Sequence, residues 1–228
     1  MAIAFVASYG NVWTAGTPKT ASVTVAAGDC LVVIGQAHTA AATVSTPTGG
    51  TGLTYTLQTS AHATGSPAGF MWTTFPASGQ TYTISVGCAS GFAWGFIALR
   101  FTGVASVGTE ASRNDGSIGT DTEPFTPTTA HSAIAMLVSD TSAGGAATYS
   151  TATAGAFTEK STGTANSVWA GYYADCGIVA AKTIGATVPS GATNVVCAIE
   201  LVPTVVASTA KPRRLLVVTQ AMKRASYY

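Results

Sequence analysis

The run Cys30-Leu31-Val32-Val33-Ile34 most constrains what this chain can fold into. A tight turn at Gly28-Asp29 opens into five consecutive apolar residues, and Gly35 breaks the run. A short apolar run rich in β-branched residues and bounded by turn residues reads as a strand covered on both faces. Such a strand needs neighbours on either side and a layer above and below.

The rest of the chain supplies them. Helix signals are nearly absent, while period-two alternation is frequent. Leu53-Thr54-Tyr55-Thr56-Leu57-Gln58, Tyr82-Thr83-Ile84-Ser85-Val86 and Val23-Thr24-Val25 each put apolar residues on one face. Turn clusters such as Pro47-Thr48-Gly49-Gly50 and Gly65-Ser66-Pro67 separate them, a spacing that points to a sandwich or barrel.

The pattern also repeats at about 100 positions. The first half runs through an apolar strand (30–35), an alternating strand (53–58), an aromatic strand (69–75), a Thr-rich strand (81–86) and a closing strand (94–101). The second half follows with 134–138, 156–160, 167–173, 183–188 and 195–202. Five short strands per half leave little core for two independent domains. The expectation is therefore one antiparallel β-sandwich, jelly-roll-like, of about ten or eleven strands, with the halves interleaved as its two sheets. The sandwich domain spans 1–203, and Gly103 to Ala130 links the halves. Arg100 and Glu200 fall at matching places in the two closing strands, where they either point to solvent or pair across the core edge.

Charged residues are only 8% of the chain, so solubility rests on hydroxyls and backbone. That suits a protein packed in an assembly or facing the extracellular medium. The net charge of +1 hides an asymmetry. The last 18 residues hold five bases and no acid, whereas the preceding 210 hold five bases and nine acids. Residues 204–228 thus form a basic C-terminal arm outside the repeat, read as an extended arm that docks on a partner. Its contact residues are Lys211, Arg213, Arg214, Leu215, Leu216, Val217, Val218, Lys223, Arg224, Tyr227 and Tyr228. Leu215 to Thr219 is strand-competent and could extend a neighbour's sheet edge. Nucleic acid is the weaker reading, because the body has no further basic surface to lengthen the footprint. A solvated tail is the third.

No catalytic constellation stands out: there is no nucleophile elbow, paired-histidine zinc motif, P-loop or dinucleotide fingerprint. His38, His62 and His131 are dispersed and read as surface residues. Asn114-Asp115-Gly116 with Asp121 and Glu123 is a conceivable calcium loop, but not at EF-hand spacing, and Glu123-Pro124 reads as a turn. No cofactor or metal is expected. Cys30, Cys88, Cys176 and Cys197 match no zinc spacing and read as buried thiols. Trp72, Trp94 and Trp169 lie in strands and read as core, leaving Trp13 as the one loose candidate for a sugar platform. Met1 to Val6 lacks the basic start of an export signal, and Phe92 to Phe101 is too short to span a membrane.

Three stretches carry a resemblance: the strand Ala2-Ile3-Ala4-Phe5-Val6-Ala7-Ser8, then Ser22-Val23-Thr24-Val25 followed by Ala27-Gly28-Asp29 and Leu31-Val32-Val33, and the closing run Trp94 to Val104. Together they resemble a β-sandwich module of tailed-bacteriophage virion proteins, over most of 1–203. Cys30 stands where that module has an aliphatic residue. The resemblance implies a non-enzymatic minor tail or head-decoration protein, assembled in the host cytoplasm into the virion, often as a trimer, with other virion proteins as partners. The arm lies outside the shared pattern. The alternative is a carbohydrate- or receptor-binding module that attaches to a surface glycan of the host.

Overall fold

The structure, a computed structural model, describes residues 2–205 apart from 11–12, 14, 17, 39–42, 63–66, 90–92, 116–119, 141–146, 151–154, 164–167 and 191–192. The described chain is all-β, a layered antiparallel sandwich with no helix. Seven strands belong to the first half: β1 (Ala4–Gly10), β2 (Lys19–Val25), β3 (Cys30–Ala37), β4 (Thr56–His62), β5 (Ala68–Thr74), β6 (Gln80–Val86) and β7 (Trp94–Thr102). Eight belong to the second: β8 (Val104–Asp115), β9 (Thr120–Phe125), β10 (Ala133–Asp140), β11 (Thr148–Tyr149), β12 (Phe157–Gly163), β13 (Val168–Tyr173), β14 (Lys182–Ser190) and β15 (Asn194–Pro203).

The repeat is a repeat of topology. One five-stranded sheet runs β1-β7-β3-β5-β4, and the other runs β8-β15-β10-β13-β12, the same order in the second half's strands. The small sheets β2-β6 and β9-β14-β11 also correspond, with a bridge from Thr48 to Ser85 standing where β11 pairs with β14. In each half the chain passes from β1, β3 and β7, or β8, β10 and β15, to the small sheet and back, the alternation of a jelly roll. Register repeats as well. Cys30 pairs with Phe101 and Ala37 with Trp94, while Ala133 pairs with Leu201 and Asp140 with Asn194.

Each half therefore contributes one complete large sheet, and the halves do not interleave strand by strand. The two large sheets face each other, and each carries its own small sheet on the outside. Side-chain alternation sorts the strands into three cores. On β3, Cys30, Val32 and Ile34 enter the shared central core with Ala133, Ala135 and Leu137 of β10. Leu31 and Val33 face the first half's own core around Trp72, Trp94 and Ile84. Ile134, Met136 and Val138 do the same in the second half around Trp169 and Tyr173. This is why the central runs are continuously apolar rather than alternating: both faces are covered. Gly69 on β5 lets the sheets approach, since a Cβ there would lie 2.7 Å from Leu137 Cδ2.

The described residues form fifteen strands, where about ten or eleven were expected. The segment read as a link, Gly103 to Ala130, holds β8 and β9, the second half's equivalents of β1 and β2. Glu123 and Pro124 lie within β9, not in a turn. The four edge strands of the large sheets, β1, β4, β8 and β12, each show a shift of register, whereas the inner pairings of β3 and β10 show none. Bulged edges discourage open-ended pairing with other chains.

Arg100 and Glu200 neither pair with each other nor point freely to solvent. Both occupy one pseudo-equivalent position, opposite Leu31 and Ile134, but their partners differ. Arg100 Nε donates to Asp29 Oδ2 at 2.6 Å and Nη1 to Thr24 O at 3.1 Å. Glu200 is fully buried. Its carboxylate accepts from the N–H groups of Thr109, Thr128 and Thr129 and from the hydroxyls of Thr128 and Ser132. Asp29 and Ser132 precede β3 and β10 at the same place, so the repeat keeps the site and inverts its charge.

Candidate functional site

A groove of about 620 Å³ lies at the end of the shared core, where the chain leaves β15. Its walls are Ala2 and Ile3 ahead of β1, Thr129 to His131 ahead of β10, Ala174 and Asp175 after β13, and Pro203 to Val205 after β15. Ile3 also packs against the shared core, so the floor continues the interior outward. Val205 is 81% exposed. Nearby in the chain, Ile178 and Val179 are exposed too, giving this end an apolar surface in an otherwise hydroxyl-rich molecule.

Two small motifs set the walls. After β13, the Asp175-Cys176-Gly177 turn folds back on itself, with Gly177 N–H donating to Asp175 Oδ1 at 2.6 Å. His131, in the left-handed region at φ 60°, sends its N–H to Gly177 O at 2.7 Å and places Nδ1 3.1 Å from Asp175 Oδ2. The Gly177 N–H holds the Asp175 carboxyl below its usual value; partial burial opposes this, and His131 and Lys182 add to the lowering. Both partners of this pair are well exposed, so it orders the rim more than it stabilises the fold.

The opposite wall is tied to Glu200. Burial disfavours its charge, but the bonds from Ser132, Thr128 and Thr109 outweigh burial and hold its carboxyl below the ordinary glutamate value. Cys176 closes the circuit: its N–H and Sγ both donate to Ser132 O. The groove thus rests on a preformed frame. It offers apolar surface beside the exposed His131–Asp175 pair.

The arm residues named from the sequence, Lys211, Arg213, Arg214, Leu215, Leu216, Val217, Val218, Lys223, Arg224, Tyr227 and Tyr228, lie outside the described residues. The sandwich hands over to the arm at the groove: β15 ends at Pro203, and Thr204 N–H donates to Gly103 O at the junction of the halves.

The other candidates disperse. Trp72, Trp94 and Trp169 are buried, and Trp13 packs half-buried against the shared core. His62 and His131 are exposed and far apart in the fold, while His38 is half-buried at the end of β3. Asp121 is fully buried in β9, and among the described residues no cluster of three His, Cys, Asp or Glu side chains is placed to hold a metal. All four cysteines are buried, and none is in a disulfide. No helix among the described residues is long and apolar enough to cross a membrane. The groove itself escaped the sequence because its walls come from four segments up to 203 positions apart. The one local signal was an apolar Pro203-Thr204-Val205 directly after a closing strand.

Comparison with known proteins gives no match to a family model, a curated sequence or a solved structure.

Proposed function

We propose that the protein is a non-enzymatic structural component of a tailed-bacteriophage virion, a capsid-decoration or minor tail protein assembled in the host cytoplasm and docked to neighbouring virion proteins through its C-terminal arm. The observation that carries this reading is that β15 ends at an exposed apolar groove, so that the root of the basic C-terminal segment and a contact surface share one end of the molecule. The charge-poor, hydroxyl-rich body, its bulged sheet edges and the resemblance of the N-terminal and closing strands support it.

A sugar-binding role needs exposed aromatic faces. Three of the four tryptophans are buried and the fourth packs on the core, so nothing favours that reading over the first.

The test is immunogold labelling of intact tailed particles whose genome encodes this chain, with antibody raised against the purified protein. Regular labelling at a fixed place on head or tail is expected. Unlabelled particles, with all the protein in the soluble lysate, would refute it.

A further inference from the structure

We infer that the groove at the root of the arm is the receptor for the arm of a second copy of this chain, so that the protein assembles with itself by arm exchange. This rests on the reading of the arm as a docking element and names its partner.

Four observations converge on a second copy. First, 23 residues (206–228) follow Val205, which itself lines the groove, and they include the apolar run Leu215-Leu216-Val217-Val218. That run matches a groove walled mainly by Ala2, Ile3, Ala130, Ala174, Pro203 and Val205. Second, the charges are complementary: the arm carries five bases, the preceding body is acidic on balance, and the rim presents the exposed Asp175 carboxylate.

Third, the chain must leave the groove at Val205, and residues 206–228 contain no Gly, Asn or Asp. Laying Leu215 back into its own groove requires a reversal within nine residues, of which only Ser208 and Pro212 are turn formers and none takes a positive φ readily. Lys211-Pro212 instead favours an extended path. An extended arm delivers its apolar run away from its own root and onto another molecule. Fourth, the root of the arm and the groove share one end of every copy, the arrangement in which identical chains exchange segments at little cost.

The experiment is sedimentation of three purified proteins: the full chain, the chain lacking 206–228, and the full chain carrying Ala174→Arg. Ala174 is exposed, so the arginine adds bulk and a repelling charge to the groove without entering a core. The full chain is expected to sediment as an oligomer and both altered chains as monomers with unchanged unfolding midpoints. Mixing the two altered chains is the decisive arm. The truncated copy retains a groove and the Ala174→Arg copy retains an arm, so their mixture recovers association, at least about tenfold tighter than either alone.

A monomeric full chain, an oligomer that survives truncation, or a mixture that fails to associate overturns arm exchange. Labelled particles together with a monomeric full chain would sink this inference and leave the virion role standing. Arm-dependent oligomers together with unlabelled particles would do the reverse.

Discussion

Gln36 Nε2 donates to Ser139 Oγ at 3.0 Å, deep between the two large sheets, and the two residues are each other's counterparts in the repeat. Gln36 lies six places into β3 from Cys30, as Ser139 does into β10 from Ala133. A contact between equivalent positions marks where the pseudo-two-fold relation of the halves passes through the core. The surrounding contacts obey the same relation: β1 meets β12 and β13 on one flank through Phe5, Tyr172 and Lys160, and β4 meets β8 on the other through His62 and Asn114. The molecule is built like a dimer of jelly rolls joined into one chain.

The pair can be tested as a coupled unit. Gln36→Leu leaves the Ser139 hydroxyl buried without its donor, and Ser139→Ala leaves the Gln36 amide with only Ala37 O as acceptor, each costing about 1–2 kcal/mol in urea unfolding. The double substitution is expected to cost clearly less than the sum, because two apolar groups then face each other. Strict additivity would show that the bond carries no stability.

A shared core also predicts a single unfolding transition. Eighteen buried residues from both halves make up the central cluster, so neither large sheet can remain folded with its inner face in water. Trp72 and Trp94 report on the first half and Trp169 on the second. Fluorescence of Trp169→Phe and of the Trp13→Phe, Trp72→Phe, Trp94→Phe variant follows the halves separately, and each should give the same midpoint as circular dichroism of the same variant. Two separated midpoints within one variant would mean that the halves are autonomous.

Much of this architecture was legible in the sequence, and its limit has a physical reason. Cys30 to Ile34 announced a strand covered on both faces, and Ile134 to Val138 repeated it; taken together, such runs in both halves require more than two layers. The period-two strands β2 and β6 supplied the outer layer, since their buried positions alternate with exposed hydroxyls. What the pattern could not reveal was pairing: β8 and β9 carry charged and hydroxyl residues on partly exposed faces and looked like a link until placed beside β15 and β14. Of the candidate site, the arm was visible through its charge. The groove was not, since its walls meet only in the folded chain.

The cysteines give a chemical check on burial. Burial pushes the thiols of Cys30 and Cys197 up to about 12 and that of Cys176 to about 11, so little thiolate exists at pH 8. The native protein is expected to resist an aromatic disulfide reagent over hours and to release four equivalents once unfolded in guanidinium. Rapid reaction of even one native thiol would mean that a core opens far more readily than its packing implies.

Glu200 links stability to pH and holds one wall of the groove. Its carboxyl titrates below the ordinary value of 4.5 in the folded state, because its N–H and hydroxyl donors favour the charged form over the neutral one. A lowered folded-state value contributes stability that is complete above the unfolded value and is lost as pH falls through the folded one. Glu200→Gln keeps the size but turns an N–H group toward donors, and is expected to cost about 2–3 kcal/mol at pH 7. Lowering the pH below about 4.5 should narrow the gap between the two proteins, because wild type loses its advantage while the glutamine variant has none to lose. Since Thr128, Thr129 and Ser132 all lean on this carboxylate, hydrogen exchange in the variant should rise first at 128–132, ahead of the central strands. A gap that stays constant from pH 7 to pH 3 would show that Glu200 acts through packing alone and that its charge does not hold the wall.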